Sequence, residues 1–167
     1  MKKQKLFRII LALLIVLNMT AIFCLSAQEA VQSNETSEGF ITLICRAFIG
    51  RFDSLVPEKQ ESLVESLSFV VRKAAHMTEF AMLSFLCSLF AASYCVKPKA
   101  FSFALAFSVL YAVSDEVHQL FVEGRSCQFS DVCVDSVGAL LGAGAAALIC
   151  LVVTRILVRK KRNVHIG

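Results

Sequence analysis

Four long apolar runs dominate the chain, and polar segments separate them. The runs cover residues 6–25, 69–94, 100–121 and 132–158. Each is close to or longer than the ~20 residues that an α-helix needs to cross the hydrocarbon core of a bilayer. We therefore predict an all-α fold, a polytopic membrane bundle of four transmembrane helices.

The composition supports a membrane protein. Hydrophobic residues make up 57% of the 167 residues, and charged residues make up only 18%, which is below the ~25% that is typical of soluble domains. The net charge of +4 does not indicate a nucleic-acid partner, because the basic residues lie beside helix ends instead of forming one patch. We expect no nucleic-acid binding.

The basic residues predict the topology. They lie before the first run, between the second and third runs, and after the fourth: Lys2, Lys3, Lys5, Arg8, Lys97, Lys99, Arg155, Arg159, Lys160, Lys161 and Arg162. Cytoplasmic segments of membrane proteins carry an excess of lysine and arginine. We therefore expect a multi-pass protein of the cell membrane with both termini in the cytoplasm.

This topology divides the chain into four parts. They are a first transmembrane helix in residues 1–28, an extracytoplasmic loop in 29–68, a three-helix transmembrane core in 69–158 and a basic cytoplasmic tail in 159–167. The basic start and the segment CLSAQEA are also typical of a secretory signal peptide. Cleavage after Ala27 is therefore the alternative to a signal anchor, although Leu25 stands where a small residue is preferred.

The extracytoplasmic loop has two kinds of sequence. Its first segment, AQEAVQSNETSEG, is polar and predicts a flexible linker. The next segment predicts an amphipathic helix, because apolar residues recur at three- and four-residue intervals: Phe40, Leu43, Ile44, Ala47 and Phe48. Such a helix lies in the membrane interface or packs on the outer ends of the bundle. After Pro57 the pattern is again helical and leads into the second run.

Ionisable residues gather in three segments that the topology brings to one level near the outer surface. In the second run, Arg72, His76 and Glu79 share one helical face, and Lys73 points elsewhere, toward lipid headgroups. The end of the third run and the start of the fourth add a polar face: Asp115, Glu116, His118, Gln119, Asp131 and Asp135. An ionised side chain that faces lipid costs ~2.5–3.5 kcal/mol at a helix centre. We therefore expect these groups to face inward and pair.

Three interpretations of this cluster are open. The first is a polar pocket in which Arg72 and Arg125 hold an anion and His76 or His118 transfers a proton. The second is an ion-pair network that only fixes how the helices meet. The third is a metal site, but the nearby arginines oppose a cation and no HExxH motif is present. We predict no metal and no other cofactor.

The fourth run predicts close helix packing. Asp131 and Asp135 are one turn apart, and Gly138 and Gly142 continue the same stripe as a GxxxG pattern, which lets another helix approach closely. This pattern is weaker evidence for dimerisation, and it leaves the oligomeric state open. The seven cysteines show no CxxC pair, and a disulfide between Cys127 and Cys133 is the one pairing that their positions leave open.

Three linked motifs give the chain a resemblance to a known family. In this order, RKAAHMTEFAML, YAVSDEVHQLFVEGR and SDVCVDSVGALLG fall within residues 71–144, and together they resemble the VanZ-like family of small bacterial membrane proteins. The family's motif residues correspond here to Lys73, His76, Glu79, Asp115, Glu116, His118, Gln119, Gly124 and Arg125. Two positions depart from the family pattern, because Glu123 stands in place of the usual proline and Asp135 in place of the usual asparagine.

The resemblance implies a role at the bacterial cell envelope, since the founding member is associated with resistance to the glycopeptide antibiotic teicoplanin. We therefore expect a membrane lipid or a lipid-linked envelope molecule to bind in the outward-facing pocket. The alternative is an intramembrane hydrolase or transferase that acts on a lipid-linked substrate. The candidates for catalysis are His76, Glu79, Asp115, Glu116 and His118. The candidates for binding are Arg72, Lys73, Gln119, Arg125, Asp131 and Asp135.

Overall fold

The computed structural model of the protein describes residues 2–28, 30–95 and 97–164. The helices in chain order are α1 (Lys2–Ser26), α2 (Ala30–Phe48), α3 (Pro57–Ala92), α4 (Lys97–Gln119) and α5 (Phe129–Val164), with a 3-10 turn at Phe52–Ser54. The structure is 88% helical, and its described residues form no strand. The predicted all-α fold is confirmed.

In the described part of the chain, four helices are long and apolar enough to cross a membrane. The candidate spans are Lys2–Ser26, Pro57–Ala92, Pro98–Gln119 and Phe129–Arg159. Large apolar side chains remain exposed along them, such as Leu13, Leu110 and Leu148, and contiguous apolar surface of this kind is typical of a lipid-facing protein. The predicted bundle of four membrane-spanning helices is confirmed.

The bundle has two ends, for which we use two names. The loop end carries residues 120–128, which join α4 to α5. The basic end lies opposite and carries the N-terminal residues of α1 together with the α3–α4 connection. Because the connections alternate between the two ends, α3 and α5 both run from the loop end to the basic end. Helix α4, which lies between them in the sequence, runs in the opposite direction.

Helices α3 and α5 approach so closely that only glycine fits at two contacts. A Cβ atom added to Gly138 would lie 2.1 Å from the carbonyl oxygen of Met77, and one added to Gly142 would lie 1.9 Å from that of Ala81. Real Cβ atoms essentially never approach closer than 3.0 Å. The GxxxG pattern therefore packs against another helix of the same chain, in agreement with the predicted close packing.

Helices α1 and α4 complete the core of the bundle. A buried cluster contains side chains of α1, α3 and α4: Ile22, Phe80, Leu83, Cys87, Ala104 and Ala112. The Tyr111 hydroxyl of α4 donates a 2.8 Å hydrogen bond to the carbonyl oxygen of Met19 in α1. The N-terminal helix is thereby joined to the other spans by both apolar packing and a polar contact.

Helix α2 and the first turns of α3 form a layer beyond the loop end. Ile41 and Cys45 are buried against Phe52 and Val64. The 36 residues of α3 make it about 54 Å long, whereas the hydrocarbon core is ~30 Å thick. Helix α3 is therefore about 24 Å longer than the core is thick, and α2 packs on its first turns.

One prediction for the extracytoplasmic loop was wrong. The predicted flexible linker is helical, since α2 begins at Ala30. The cause is that tertiary packing of Ile41 and Cys45 stabilises a helix whose polar first turns would be marginal alone. The predicted apolar face of α2 stays largely outside this packing, because Phe40, Leu43 and Phe48 are 57%, 67% and 84% exposed.

Candidate functional site

A glycine turn positions the arginine of the second motif. After α4 ends at Gln119, the chain turns sharply, and Gly124 adopts a φ of 73°. This left-handed conformation costs other residues ~1–2 kcal/mol. The Arg125 N–H donates a 3.1 Å hydrogen bond to the carbonyl oxygen of Val122, and its Nε donates to the carbonyl oxygen of Gln28 at 3.3 Å. The turn thereby directs the Arg125 side chain back over the loop end.

Two contacts between ionisable side chains continue the packing of α3 on α5 toward the loop end. His76 Nδ1 lies 3.7 Å from Asp135 Oδ2, and Lys73 Nζ donates to Asp131 Oδ1 one turn further out. We call the four contacts the α3–α5 seam: Lys73–Asp131, His76–Asp135, Met77–Gly138 and Ala81–Gly142. The two helices run in the same direction, so successive turns of α3 meet successive turns of α5. The close contacts at Gly138 and Gly142 therefore set the distance between the helices at which the two pairs meet.

The seam corrects the prediction for Lys73. This lysine was expected to point toward lipid headgroups, but it pairs with Asp131. The reason is that α5 packs on the face of α3 that contains Lys73, Met77 and Ala81, which recur every four residues. The predicted packed face of α5 is confirmed, because Asp135, Gly138 and Gly142 are all buried.

A cavity of about 260 Å³ opens beside the seam at the loop end. Residues from α2, α3, α4, the 120–128 loop and α5 line it. Eight of the eleven predicted site residues are among them: Arg72, Lys73, His76, Glu116, Gln119, Arg125, Asp131 and Asp135. Cations and carboxylates from distant parts of the sequence therefore face one space.

Positive charges in this cavity act on each other. Burial is the main cause that lowers the pKa of Arg125 from its ordinary value, and the nearby charge of Arg72 lowers it further. Asp115, Glu116 and Asp131 act in the opposite direction. Arg125 stays protonated at neutral pH, because a guanidinium does not lose its proton in proteins. An anion bound between these two guanidinium groups would relieve their mutual repulsion.

Glu116 connects the end of α4 to the start of α5. Its side chain is buried, and Oε2 accepts a 2.9 Å hydrogen bond from the backbone N–H of Gln128. Gln128 immediately precedes α5, where backbone N–H groups lack partners within the helix. Glu116 therefore positions the loop that forms one wall of the cavity.

Two carboxylates lie near His76 without lining the cavity. The charges of Asp135, Glu79 and Asp115 all act on the imidazole of His76. Asp115 is buried and accepts a 3.2 Å hydrogen bond from Nε2 of Gln119. The buried Oε2 of Glu79 has no hydrogen-bond partner among the described residues. Both carboxyl groups therefore lie beside His76, on the side of the cavity that faces the membrane interior.

His118 belongs to a different contact. Its ring stacks on Phe23 of α1, with centroids 4.4 Å apart and an interplanar angle of 25°. It does not line the cavity described above. Of the two histidines that were predicted to transfer a proton, only His76 faces the space that contains the arginines.

The structure also bears on the cysteines and on the metal alternative. Cys127 and Cys133 are exposed free thiols, so the disulfide that the sequence left open is not formed. Within residues 2–28, 30–95 and 97–164, no three His, Cys, Asp or Glu side chains are grouped closely enough to hold a metal ion.

Several lining residues were not found from the sequence. Ser33 lies in the segment that was predicted to be a flexible linker, and Gln128 was read only as part of a loop. Phe69 and Val134 add an apolar edge to the cavity. Helical periodicity contained a signal for Phe69 and Val134, since each lies one turn from a predicted site residue.

Fold and site together define a polytopic α-helical membrane protein with a charged cavity at one end of its bundle. The family model described as VanZ/LLP1 matches residues 10–152, which is most of the chain. The protein therefore belongs to the VanZ/LLP1 family, and the resemblance inferred from the three motifs is confirmed. Comparison with curated proteins and with solved structures found no match.

Proposed function

We propose that this VanZ-family membrane protein binds the headgroup of an amphiphile in the cavity at its loop end. The amphiphile is a membrane lipid or a lipid-linked molecule of the cell envelope, and its capture alters susceptibility to glycopeptides such as teicoplanin. The main support is the cavity itself, where Arg72, Arg125 and His76 face the same space as Asp131 and Asp135.

The size of the cavity limits what it can enclose. Its volume of about 260 Å³ is slightly below the ~300–1,000 Å³ of typical small-molecule sites. A headgroup of a few polar atoms fits this space, whereas a complete glycopeptide does not. The apolar part of the ligand then lies outside, along Phe69, which is 55% exposed and whose ring centroid is 5.4 Å from Lys73 Nζ.

The charges favour an anionic headgroup that also carries a donor. Guanidinium groups bind phosphate and carboxylate through paired hydrogen bonds, so Arg72 and Arg125 bind the anionic part. Oδ2 of the buried Asp135 faces His76, whereas Oδ1 has no hydrogen-bond partner among the described residues and accepts a hydrogen bond from a ligand hydroxyl or amine. Gln119 provides a neutral amide at the same wall.

The proposed orientation places the cavity outside the cell. The basic segments at the opposite end support a cytoplasmic location for both termini, so the cavity opens at the outer leaflet of the cytoplasmic membrane. A lipid or lipid-linked molecule of that leaflet therefore reaches the cavity without crossing the membrane.

Lipid retention tests this function. The protein is extracted in a mild detergent, and co-purifying molecules are identified by mass spectrometry. We expect one anionic amphiphile to be retained, and Arg125→Ala to reduce its occupancy at least tenfold, since hydrogen bonds to charged groups contribute ~1.5–3 kcal/mol. Arg46→Ala is the matched control, because Arg46 is an exposed arginine of α2 that pairs with Asp53 and does not line the cavity. Equal retention by both variants would contradict the proposal.

A second function is an enzyme that hydrolyses or transfers a group of a lipid-linked substrate. His76 supports it, because a histidine paired with a carboxylate at a cavity wall is the arrangement of a general base. In this case Asp135 orients His76. Glu79, Asp115 and Glu116 contribute to the electrostatic environment of the reaction without contacting the substrate. Turnover of a labelled envelope lipid that stops in His76→Gln favours the enzyme, whereas binding without turnover favours the first function.

A further inference from the structure

A second groove lies at the basic end, between the start of α1 and the end of α3. Its volume is about 700 Å³, which is within the range of small-molecule sites. It does not share any lining residue with the cavity at the loop end. The groove is therefore separate from the charged cavity at the loop end.

Three cations of α1 face this groove. Lys2, Lys5 and Arg8 recur at three-residue intervals and so lie on one side of the helix. The described residues that line the groove include no aspartate or glutamate. Three positive charges in one groove repel each other, and a bound anion would stabilise them.

Arg8 is held in place by contacts with the end of α3. Its Nε donates a 3.1 Å hydrogen bond to Ser93 Oγ, and Nη2 donates to the Ser93 carbonyl oxygen. The guanidinium carbon lies 3.7 Å from the centroid of the Tyr94 ring. These two hydrogen bonds use only part of the five N–H donors of a guanidinium. Arg8 is therefore preorganised, with donors remaining for a ligand.

The other wall of the groove is apolar. Ile9 and Ala12 continue the same face of α1 toward the membrane, and Phe90 lies opposite them on α3. The groove thus changes from cationic to apolar along the direction in which a membrane changes from headgroups to acyl chains. A soluble anion would contact only the cationic part, whereas a lipid matches both parts.

We infer that this groove binds an anionic phospholipid of the adjacent leaflet. The phosphate lies against Arg8, Lys5 and Lys2, and an acyl chain lies along Ile9, Ala12 and Phe90. Basic pockets between transmembrane helices commonly bind anionic headgroups in this way. The inference does not depend on the function proposed for the loop-end cavity.

Fluorescence quenching tests the inference, because the chain contains no tryptophan. Tyr94→Trp places one fluorophore at the groove and keeps an aromatic ring for Arg8. The full chain is reconstituted into phosphatidylcholine vesicles that contain either brominated phosphatidylglycerol or brominated phosphatidylcholine at equal mole fraction. We expect the anionic lipid to quench more strongly, and inorganic phosphate in the buffer not to relieve the quenching.

Charge variants provide the control. In the Tyr94→Trp background, Lys5→Gln should reduce the preference for phosphatidylglycerol about fivefold, as expected for one basic residue near an anionic lipid. Lys5 is exposed, so its replacement leaves the fold intact. Lys99→Gln removes an exposed charge from the same end but outside the groove, and it should leave the preference unchanged.

Three results would overturn the inference. They are equal quenching by both lipids, relief of quenching by inorganic phosphate, and equal effects of Lys5→Gln and Lys99→Gln. Native mass spectrometry of the unsubstituted chain gives an independent readout, in which bound phosphatidylglycerol should survive delipidation longer than phosphatidylcholine. If the groove loses its lipid while the loop-end cavity retains its ligand, this inference fails and the proposed function does not.

Discussion

Replacing Gly138 by alanine tests whether close helix packing holds the charged site together. The new Cβ atom would lie 2.1 Å from the Met77 carbonyl oxygen, and an ordinary contact begins at 3.4 Å, so the helices must separate by about 1.3 Å. The His76–Asp135 pair is one turn away and its atoms are already 3.7 Å apart. We therefore expect Gly138→Ala to destabilise the bundle and to break this pair.

A matched glycine of the same helix makes the magnitude measurable. Gly144→Ala meets no atom within 4 Å, and both variants gain the same ~0.5–1 kcal/mol of helix propensity. Their difference isolates the steric cost, which is ~1–3 kcal/mol for an overpacked contact. At ~2–4 °C for each kcal/mol in a chain of this size, Gly138→Ala should unfold about 2–12 °C below Gly144→Ala.

The assay uses thiols that become accessible on unfolding. Cys45 and Cys87 are buried, whereas four other cysteines are exposed and Cys150 is partly exposed, so these five are first replaced by serine in both variants. A fluorogenic maleimide then reports the thermal transition of the purified protein in detergent through Cys45 and Cys87. Retention of the co-purifying amphiphile is measured on the same samples, and it should fall in Gly138→Ala only. If the two alanine variants unfold at the same temperature, the seam is not tightly packed and the reasoning is wrong.

Three further predictions concern the Lys73–Asp131 pair, the loop that joins α4 to α5, and the membrane topology. Lys73→Asp should lower the free energy of unfolding by ~1–3 kcal/mol, between the values of exposed and buried ion pairs, and added Asp131→Lys should restore most of it; no recovery in the double variant would exclude this pair. Glu116→Ala removes the acceptor of the Gln128 N–H and should cost ~1–3 kcal/mol in the same thermal assay, whereas Glu116→Gln should retain most stability. In single-cysteine variants, an impermeant maleimide added to intact cells should label Cys127 but not Cys95, and the reverse labelling would invert the proposed orientation.

The spans and the level of the charged residues were predictable from the sequence. Both follow from properties that accumulate along one helix, namely apolar length and a fixed rise per residue. Alternating topology then brings His76 and Asp135 to the same end of the bundle. The stripe from Asp135 to Gly142 also predicted its own packed face, because glycine and a costly buried charge both require a close partner.

The partners of individual side chains were not predictable in the same way. Lys73 and His118 were assigned from the angular position on their own helices, but the neighbour that each meets depends on how α5 and α1 pack around them. The prediction of a flexible linker at the polar start of α2 was wrong for a related reason. Its helix depends on burial of Ile41 and Cys45, which lie more than two turns further along the chain.

The length of α3 has a mechanical consequence. No proline interrupts this helix after Pro57 at its start, so it has no hinge between the part that contacts α2 and the part that contains His76. The helical segment from Val64 to His76 is rigid and about 18 Å long. A molecule that binds α2 and displaces it therefore also moves the cavity wall that contains His76, without entering the cavity.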